Sequence, residues 1–135
     1  MGKKFGEKVN LVEGVSHSLP FEEEEFDMVI AGFCLYMVGP NTIIATLSEM
    51  NRVLKQEGIL VISDFDTPYP YIRHNKHNAE IFTYKRDYLE MLRPFGYTLI
   101  EKRMHSYFTN CFVKNVQERS STLFFYKEHK QYLDG

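Results

Sequence analysis

Cysteine is scarce in this chain of 135 residues, where only Cys34 and Cys111 occur. The two lie far apart in the sequence and lack the C-x-x-C spacing that is typical of metal sites and redox motifs. The spacing therefore gives no reason to expect either kind of site. We expect each cysteine to be a buried thiol in a protein of a reducing compartment.

An excess of basic charge is also missing. The chain has 16 Lys and Arg residues against 18 Asp and Glu residues, which gives a formal net charge of −2. DNA, RNA and anionic membranes favour a strongly basic surface, so we predict neither nucleic acid nor membrane as a partner. With 44% hydrophobic and 25% charged residues, the composition is typical of a soluble globular protein, and the length fits one domain over residues 1–135.

Long apolar runs are absent as well, since none approaches the roughly 18 residues of a membrane span. The amino-terminal stretch MGKKFGEKVN lacks the apolar segment of a secretory signal. Gly6 stands where a myristoylation signal has Ser or Thr. These absences predict a soluble, cytoplasmic protein. The lack of internal repeats or a linker predicts a single domain.

The residues that are present alternate between strand and helix patterns. VNLV (residues 9–12) predicts a short strand, and FDMVIAGF (26–33) is a continuous apolar run that predicts a strand buried on both faces. Residues 41–58 have apolar side chains at helical spacing, with Asn41 as the N-cap and Gly58 as the stop. The strand ILVIS (59–63) follows at once, so the segment predicts a parallel strand–helix–strand unit.

The second half continues the pattern after a loop over residues 64–86. YKRDYLEMLRPFG (84–96) predicts a helix with Tyr88, Leu89, Leu92 and Phe95 on one face. YTLIEKRMHSY (97–107) and STLFFYKE (121–128) predict two strands that close the sheet as a hairpin. Together these elements predict a doubly wound α/β sheet.

Four consecutive glutamates precede the apolar strand in LPFEEEEFDMVIAGF, residues 19–33. A run of like charges is normally a solvated turn. Here the run lies between Phe21 and Phe26, which we expect to pin an exposed turn that leads the chain into the sheet.

Ligands of open α/β sheets bind beyond the carboxyl ends of the strands. In this chain those positions are residues 13–17, 31–36 and 64–71. We therefore expect any functional site in these three segments, and the acidic turn lies at the opposite end of its strand.

The stretch VEGVSHSLPFEEEEFDMVIAGFCLYMV, followed by LSEMNRVLKQEGILVISDF, resembles the middle of the class I S-adenosylmethionine-dependent methyltransferases. The likeness rests on LPF, an acidic turn, FD before an apolar strand, and RVL before the next strand, in that order. The tail is similar to the carboxyl-terminal part of a bacterial subgroup. The resemblance implies an α/β fold, an incomplete doubly wound (Rossmann-like) sheet with a C-terminal antiparallel hairpin, and S-adenosylmethionine as cofactor with a small-molecule substrate.

Two features of the family pattern have no counterpart. No two glycines lie two apart, as the family's cofactor loop would require, and the family's ribose-binding acid is missing. We therefore expect an N-terminally truncated domain that begins at the family's third strand. The isolated chain could then have no cofactor. Its strand at residues 26–33 would then be a bare edge, covered by residues 9–12, by a homodimer or by another chain.

The resemblance also assigns site residues by position. Five positions correspond to cofactor contacts: Val15, Ser16, Ala31, Gly32 and Phe33. Six more are candidates for substrate binding: Tyr36, Asp64, Asp66, Tyr69, Tyr71 and His74. Either aspartate could act as a base for the methyl acceptor. The alternative is that residues 15 and 16 form a strand-end turn and that residues 64–86 are a solvated connection stiffened by prolines.

His74 and His77 are three residues apart, but zinc sites need three or four ligands held together, so we predict no metal. Two other functions remain open. The chain could be a non-catalytic, methyltransferase-derived module for association or dimerisation, or an unrelated doubly wound binding module that shares only the fold.

Overall fold

The computed structural model describes residues 8–106 and 108–129, so the predictions made on Gly6 and Tyr107 lie outside the described residues. Its helices and strands are, in chain order, β1 (Phe26–Gly32), α1 (Ile43–Val53), β2 (Leu54–Phe65), β3 (Tyr71–His74), β4 (Phe82–Lys85), α2 (Tyr88–Leu92), β5 (Tyr97–Ser106) and β6 (Arg119–Lys127). Short 3-10 turns lie at Leu35–Met37, Arg93–Phe95 and Val116–Glu118.

A four-stranded sheet with the order β1-β2-β6-β5 organises the fold. β1 and β2 are parallel and joined through α1, whereas β6 is antiparallel to both β2 and β5. The strand–helix–strand unit and the carboxyl-terminal hairpin are therefore confirmed, as is the α/β class. β3 and β4 form a separate antiparallel pair.

β1 is an edge strand, since within the described residues it pairs with β2 alone. Met28 and Ile30 on one face are 51% and 65% exposed, while Ala31 on the other face is buried. The prediction of a strand buried on both faces is thus wrong, because the described part of the chain covers only one face. Residues 9–12 are not a strand and do not pair with the β1 edge, so those two predictions are also wrong.

Helix α1 is shorter than predicted at both ends. It begins after Thr42 rather than Asn41, and it ends at Val53 because Leu54 already has extended backbone angles. Gly58 is not the helix stop. A Cβ at this buried glycine would lie 2.6 Å from a Leu54 methyl group and 2.8 Å from a backbone oxygen, so only glycine fits the tight approach.

The acidic turn before β1 is pinned as predicted. The rings of Phe21 and Phe26 meet edge to face with centroids 4.9 Å apart. Arg52 of α1 donates hydrogen bonds to the carbonyl oxygens of Phe21 (2.8 Å) and Leu19 (3.1 Å), and it pairs with Glu49 at 2.8 Å. The glutamates therefore stay at the surface while the aromatic rings and Arg52 fix the backbone.

The hydrophobic core lies between the sheet and both helices. Its members come from β1, β2, β6, α1 and α2, and the most deeply buried include Leu47, Leu54, Leu60, Ile62 and Phe125. Helix α2 begins at a defined cap, since the Asp87 carboxylate accepts hydrogen bonds from the backbone N–H groups of Leu89 (3.0 Å) and Glu90 (3.3 Å). Both helices thus pack against the same group of strand residues.

Residues 64–86 are not a simple loop, because they contain the β3–β4 hairpin. The prediction of two buried thiols is also wrong. Cys34 follows β1 at the start of a 3-10 turn, Cys111 lies in the connection between β5 and β6, and both are exposed. No helix within residues 8–106 and 108–129 is long and apolar enough to cross a membrane.

A buried lysine closes the carboxyl end of α1. The ammonium group of Lys127 donates hydrogen bonds to the carbonyl oxygens of Asn51 (2.7 Å) and Leu54 (2.6 Å). The last carbonyl groups of a helix have no partner within it and carry partial negative charge, so a cation here satisfies both needs. Lys127 therefore connects β6 to the point where α1 turns into β2.

We expect Lys127→Met to lower the free energy of unfolding by about 2 kcal/mol, because it leaves buried carbonyl groups without a donor. Urea unfolding monitored by circular dichroism measures the change. Lys55→Met is the matched control, since Lys55 forms an exposed pair with Asp27 (3.3 Å) and should change the value by less than about 0.5 kcal/mol. Equal effects of the two substitutions would contradict the role of Lys127.

Candidate functional site

The carboxyl ends of β1 and β2 lie side by side because the two strands are parallel. Gly32 pairs with Ser63, and Phe33 then leaves the strand with a left-handed φ of 47°. Its backbone N–H still donates to the Ser63 carbonyl oxygen at 2.7 Å. This bond holds the phenyl ring of Phe33 at the strand end, where sequence reasoning expected the site.

Three aromatic rings meet beyond these strand ends. Phe65 at the end of β2 contacts Phe33 edge to face at 5.8 Å between centroids, and Tyr36 in the same way at 5.1 Å. The ammonium nitrogen of Lys85 lies 4.3 Å from the centroid of the Phe65 ring. Phe65 is therefore the centre of an aromatic cluster built from two strand ends and supported by a cation.

A pocket of about 170 Å³ opens beside this cluster, and we call it the aromatic pocket. Its walls come from the 3-10 turn after β1, the end of β2, the β3–β4 hairpin and the β5–β6 connection. The lining residues are Tyr36, Phe65, Arg73, Asn75, Lys76, His77, Thr83, Phe108, Gln117 and Glu118. Segments that are far apart in sequence thus build one concave site at the carboxyl end of the sheet.

Asp64 lies just beneath the aromatic pocket and is only 2% exposed. Its carboxylate accepts hydrogen bonds from the backbone N–H groups of Phe65 (2.7 Å) and Tyr36 (3.2 Å). Burial raises the pKa of Asp64 to about 6, although these bonds oppose the rise. The contacts make Asp64 an anchor for the turn that carries Tyr36, and Asp64 does not line the pocket itself.

The turn is held from its other side by Arg86. The guanidinium donates to the carbonyl oxygen of Leu35 at 3.0 Å and also to that of Val38. Asp64 therefore binds an N–H group in the middle of the 3-10 turn Leu35–Met37, and Arg86 binds carbonyl oxygens at its start and just past its end. This double attachment fixes the position of Tyr36 in the pocket wall.

Lys85 supports the pocket from behind. Its side chain is buried, and the ammonium group donates to the carbonyl oxygen of Gln117 at 3.0 Å. Burial, together with the nearby charges of Arg73 and Lys76, lowers the pKa of Lys85 to about 8. Lys85 thus joins β4 to the β5–β6 connection that supplies one pocket wall.

The other predicted substrate residues lie elsewhere. Asp66 pairs with Lys102 at 2.9 Å and does not line the aromatic pocket. Tyr69 is 59% exposed, and its ring lies 5.9 Å from that of Tyr71, which faces Lys85. His74 stacks on Phe82 and hydrogen-bonds a backbone oxygen. Of the six candidates, the structure brings only Tyr36 into the pocket wall and Asp64 directly beneath it.

The predicted cofactor positions flank an open groove along β1. This groove has a volume of about 330 Å³, and its lining includes Ser16, Ala31, Cys34 and Thr46. Ser16 and Thr46 already hydrogen-bond each other at 3.0 Å, Val15 is exposed, and Gly32 faces open space. The described residues therefore offer an apolar wall that suits a flat ring but does not fit the ribose and charged amino-acid part of S-adenosylmethionine.

Several pocket residues were missed from the sequence. Arg73 and Thr83 belong to the β3–β4 hairpin, and Phe108 and Gln117 belong to the β5–β6 connection. The alternation in YIRH and FTYK could have predicted the hairpin. Asn115, whose side chain accepts from the Gln117 backbone N–H at 3.0 Å, could have predicted the turn at Val116–Glu118.

Comparisons with known proteins give a consistent picture. The family described as "Methyltransferase domain" matches residues 2–62. A demethylmenaquinone methyltransferase of Staphylococcus saprophyticus is 32% identical over an alignment of 125 positions, and the match covers 84% of this chain and 53% of that protein. The Staphylococcus aureus protein of the same name is 47% identical over 62 residues, which are 46% of this chain and 25% of that protein. The matches thus cover about half the length of the first relative and a quarter of the second.

Solved structures share the fold. A 1,6-didemethyltoxoflavin-N1-methyltransferase of Burkholderia thailandensis, with bound 1,6-didemethyltoxoflavin and S-adenosylhomocysteine, superposes with a TM-score of 0.73 at 18% identity. The match covers 95% of this chain and 55% of that one. A S-adenosylmethionine-dependent methyltransferase of Methanosarcina mazei gives a TM-score of 0.66 at 15% identity, covering 87% of this chain and 66% of that one. The methyltransferase fold expected from the sequence is therefore confirmed.

The raised pKa of Asp64 predicts a pH dependence of stability. Between about pH 4 and pH 6 the folded chain keeps a proton that the unfolded chain has lost, so the free energy of unfolding falls as the pH rises through this window. The loss should be about 2 to 3 kcal/mol. Asp64→Asn removes the titrating group, and urea unfolding at several pH values compares the two proteins. Parallel pH profiles would contradict the prediction.

Proposed function

Because this chain belongs to the class I S-adenosylmethionine-dependent methyltransferases, we propose that it forms the acceptor-binding side of a methyl-transfer site. The acceptor is a small molecule with a flat ring, and it binds in the aromatic pocket. The observation that carries this proposal is the position of the pocket, at the joined carboxyl ends of β1 and β2 beside Phe33.

The size and walls of the pocket support a ring-shaped acceptor. A volume of about 170 Å³ is close to that of a protein cavity known to hold benzene. Phe65 and Tyr36 offer ring faces and edges, and Thr83, Asn75 and Gln117 add polar groups that can orient a substituent. Two of the similar proteins are named for small acceptors, demethylmenaquinone and 1,6-didemethyltoxoflavin, which favours the same class here.

Methyl transfer depends mainly on alignment of the acceptor atom, with removal of its proton where needed. In this proposal Asp64 and Arg86 act as positioning residues, because they fix the turn that carries Tyr36. His77 and Glu118 in the pocket wall are the groups able to accept a proton from a bound ligand. The family implies S-adenosylmethionine as the methyl donor, and we assign its ribose and amino-acid contacts to groups outside the described residues.

We expect the chain to bind the neutral single-ring probe 4-hydroxybenzamide with a Kd of about 1 mM, because one ring is buried without charge pairing. A titration followed by amide chemical shifts of the ¹⁵N-labelled chain measures the affinity. Tyr36→Ala should weaken binding about fivefold by removing one wall.

Tyr69→Ala is the matched control, since this exposed tyrosine lies outside the pocket and its loss should leave the Kd unchanged. Shift changes that do not saturate, or that spread over the surface away from the pocket, would refute an acceptor site at this position.

A second candidate function, association through β1, is favoured by the contrast between the two sheet edges. β1 presents exposed Met28 and Ile30, and its one charged residue is Asp27. The opposite edge strand, β5, carries consecutive charged residues at 101–103 and a register shift beside them. Charges and bulges protect an edge from pairing, so β5 is protected and β1 is not.

We propose that the β1 edge pairs with β1 of a second copy in antiparallel orientation. When the pair is centred on Val29, Met28 of one copy lies opposite Ile30 of the other, which covers both exposed side chains. The glutamate runs at residues 22–25 then lie at opposite ends of the strand pair, roughly 30 Å apart. That separation exceeds the Debye length of about 8 Å, whereas parallel pairing would place the two runs side by side.

We expect the chain to be a homodimer in size-exclusion chromatography with light scattering, and Ile30→Lys to convert it to a monomer by placing a charge in the strand pair. Ile100→Lys is the matched control, because Ile100 is 58% exposed on the protected edge strand β5 and Ile30 is 65% exposed. A monomeric unmodified chain, or an Ile30→Lys variant that stays dimeric, would contradict this pairing.

A further inference from the structure

One end of the aromatic pocket is cationic. Arg73 extends from β3, and Lys76 lies in the turn between β3 and β4, together with the polar side chains of Asn75 and His77. Among the lining residues Glu118 supplies the acidic group, so the two fixed cations outnumber the acids. The rings of Tyr36, Phe65 and Phe108 line the same pocket, so the pocket combines ring-binding walls with positively charged groups.

The cations also act on groups behind the pocket. Arg73 and Lys76 both lower the pKa of the buried Lys85, in addition to the larger effect of its burial. Three basic side chains therefore share one region, and each raises the local positive potential. An anion bound between Arg73 and Lys76 would reduce the repulsion among all three.

The guanidinium of Arg73 has unused hydrogen-bonding capacity. One terminal nitrogen donates to the Gln117 side-chain oxygen. The Nε–H group, by contrast, is buried and has no hydrogen-bond partner among the described residues. A buried donor of a charged group without an acceptor is costly, so reorientation of this guanidinium onto an anionic ligand would be favourable.

From these three observations we infer that the acceptor of the aromatic pocket carries a ring carboxylate, which Arg73 and Lys76 bind. A carboxylate is planar and can accept two parallel hydrogen bonds from a guanidinium. As a single substituent on a ring, it is also small enough for a pocket of this size. This inference rests on the proposed function and specifies its substrate class as aromatic acids.

Two probes of nearly equal shape test the inference, 4-hydroxybenzoate and its neutral analogue 4-hydroxybenzamide. We expect the acid to bind the ¹⁵N-labelled chain about tenfold more tightly at neutral pH, and added salt to weaken the acid alone. Arg73→Gln and Lys76→Gln should each remove most of this preference, so that the Kd values of the acid and the amide differ by about twofold or less.

Arg93→Gln is the matched control, because Arg93 is an exposed arginine that pairs with Glu90 at 3.0 Å and does not line the pocket. Lys76→Gln provides a second test if Arg73→Gln disturbs the hairpin, which the amide spectrum reports. Equal affinity for both probes would overturn the carboxylate inference and leave the acceptor pocket in place. Binding of neither probe would overturn the proposed function as well.

Discussion

The parallel pairing of β1 with β2 is the constraint on which the rest of the structure depends. It requires a connection that returns the chain along one face of the sheet, which α1 provides, and it brings the carboxyl ends of both strands to the same edge. Phe33 and Phe65 meet only because each follows a strand of this pair. The aromatic pocket, the turn that carries Tyr36 and the support from β4 are all arranged around that meeting point.

The buried charges of Asp64 and Lys85 fix the segments around this meeting point in a defined site. Each bonds to backbone rather than to an opposite side-chain charge: Asp64 to N–H groups and Lys85 to a carbonyl group. Burial of a charge is tolerated when such dipoles replace water. Because Tyr36 and Gln117 lie in 3-10 turns, the charges hold segments that have little regular structure of their own.

The sequence predicted those parts of the fold that local patterns determine. Apolar spacing predicted α1 and the strands of the main sheet, and the glutamate run between Phe21 and Phe26 predicted the pinned turn. The helix predicted over residues 84–96 is longer than the observed α2 (Tyr88–Leu92), because its first two residues belong to β4 and residues 93–95 form a 3-10 turn. Residues 9–12 have a strand pattern but pair with no strand in the described part of the chain. Gly58 has the position of a helix stop, although close packing against Leu54 explains it. Tertiary contacts determine the structure at both positions, and local patterns in a single sequence do not predict such contacts.

The site was predictable only in part for the same reason. Strand-end logic led to Tyr36 and Asp64, because the carboxyl edge of a parallel sheet is a general binding position. Arg73 and Gln117 are 44 residues apart and meet through a side-chain hydrogen bond, which no local spacing encodes. The short β3–β4 hairpin was hidden by the prolines and polar residues around it, so its contribution to the pocket became visible only in three dimensions.

The acidic turn has a consequence for the chain before it folds. FDMVIAGF combines apolar and branched residues with a single charge, which is the composition of a segment that aggregates when exposed. From the general role of charged residues beside such segments, we expect the four glutamates directly before it to oppose association of nascent chains by electrostatic repulsion. In the folded protein the same residues form an exposed turn held by Phe21, Phe26 and Arg52.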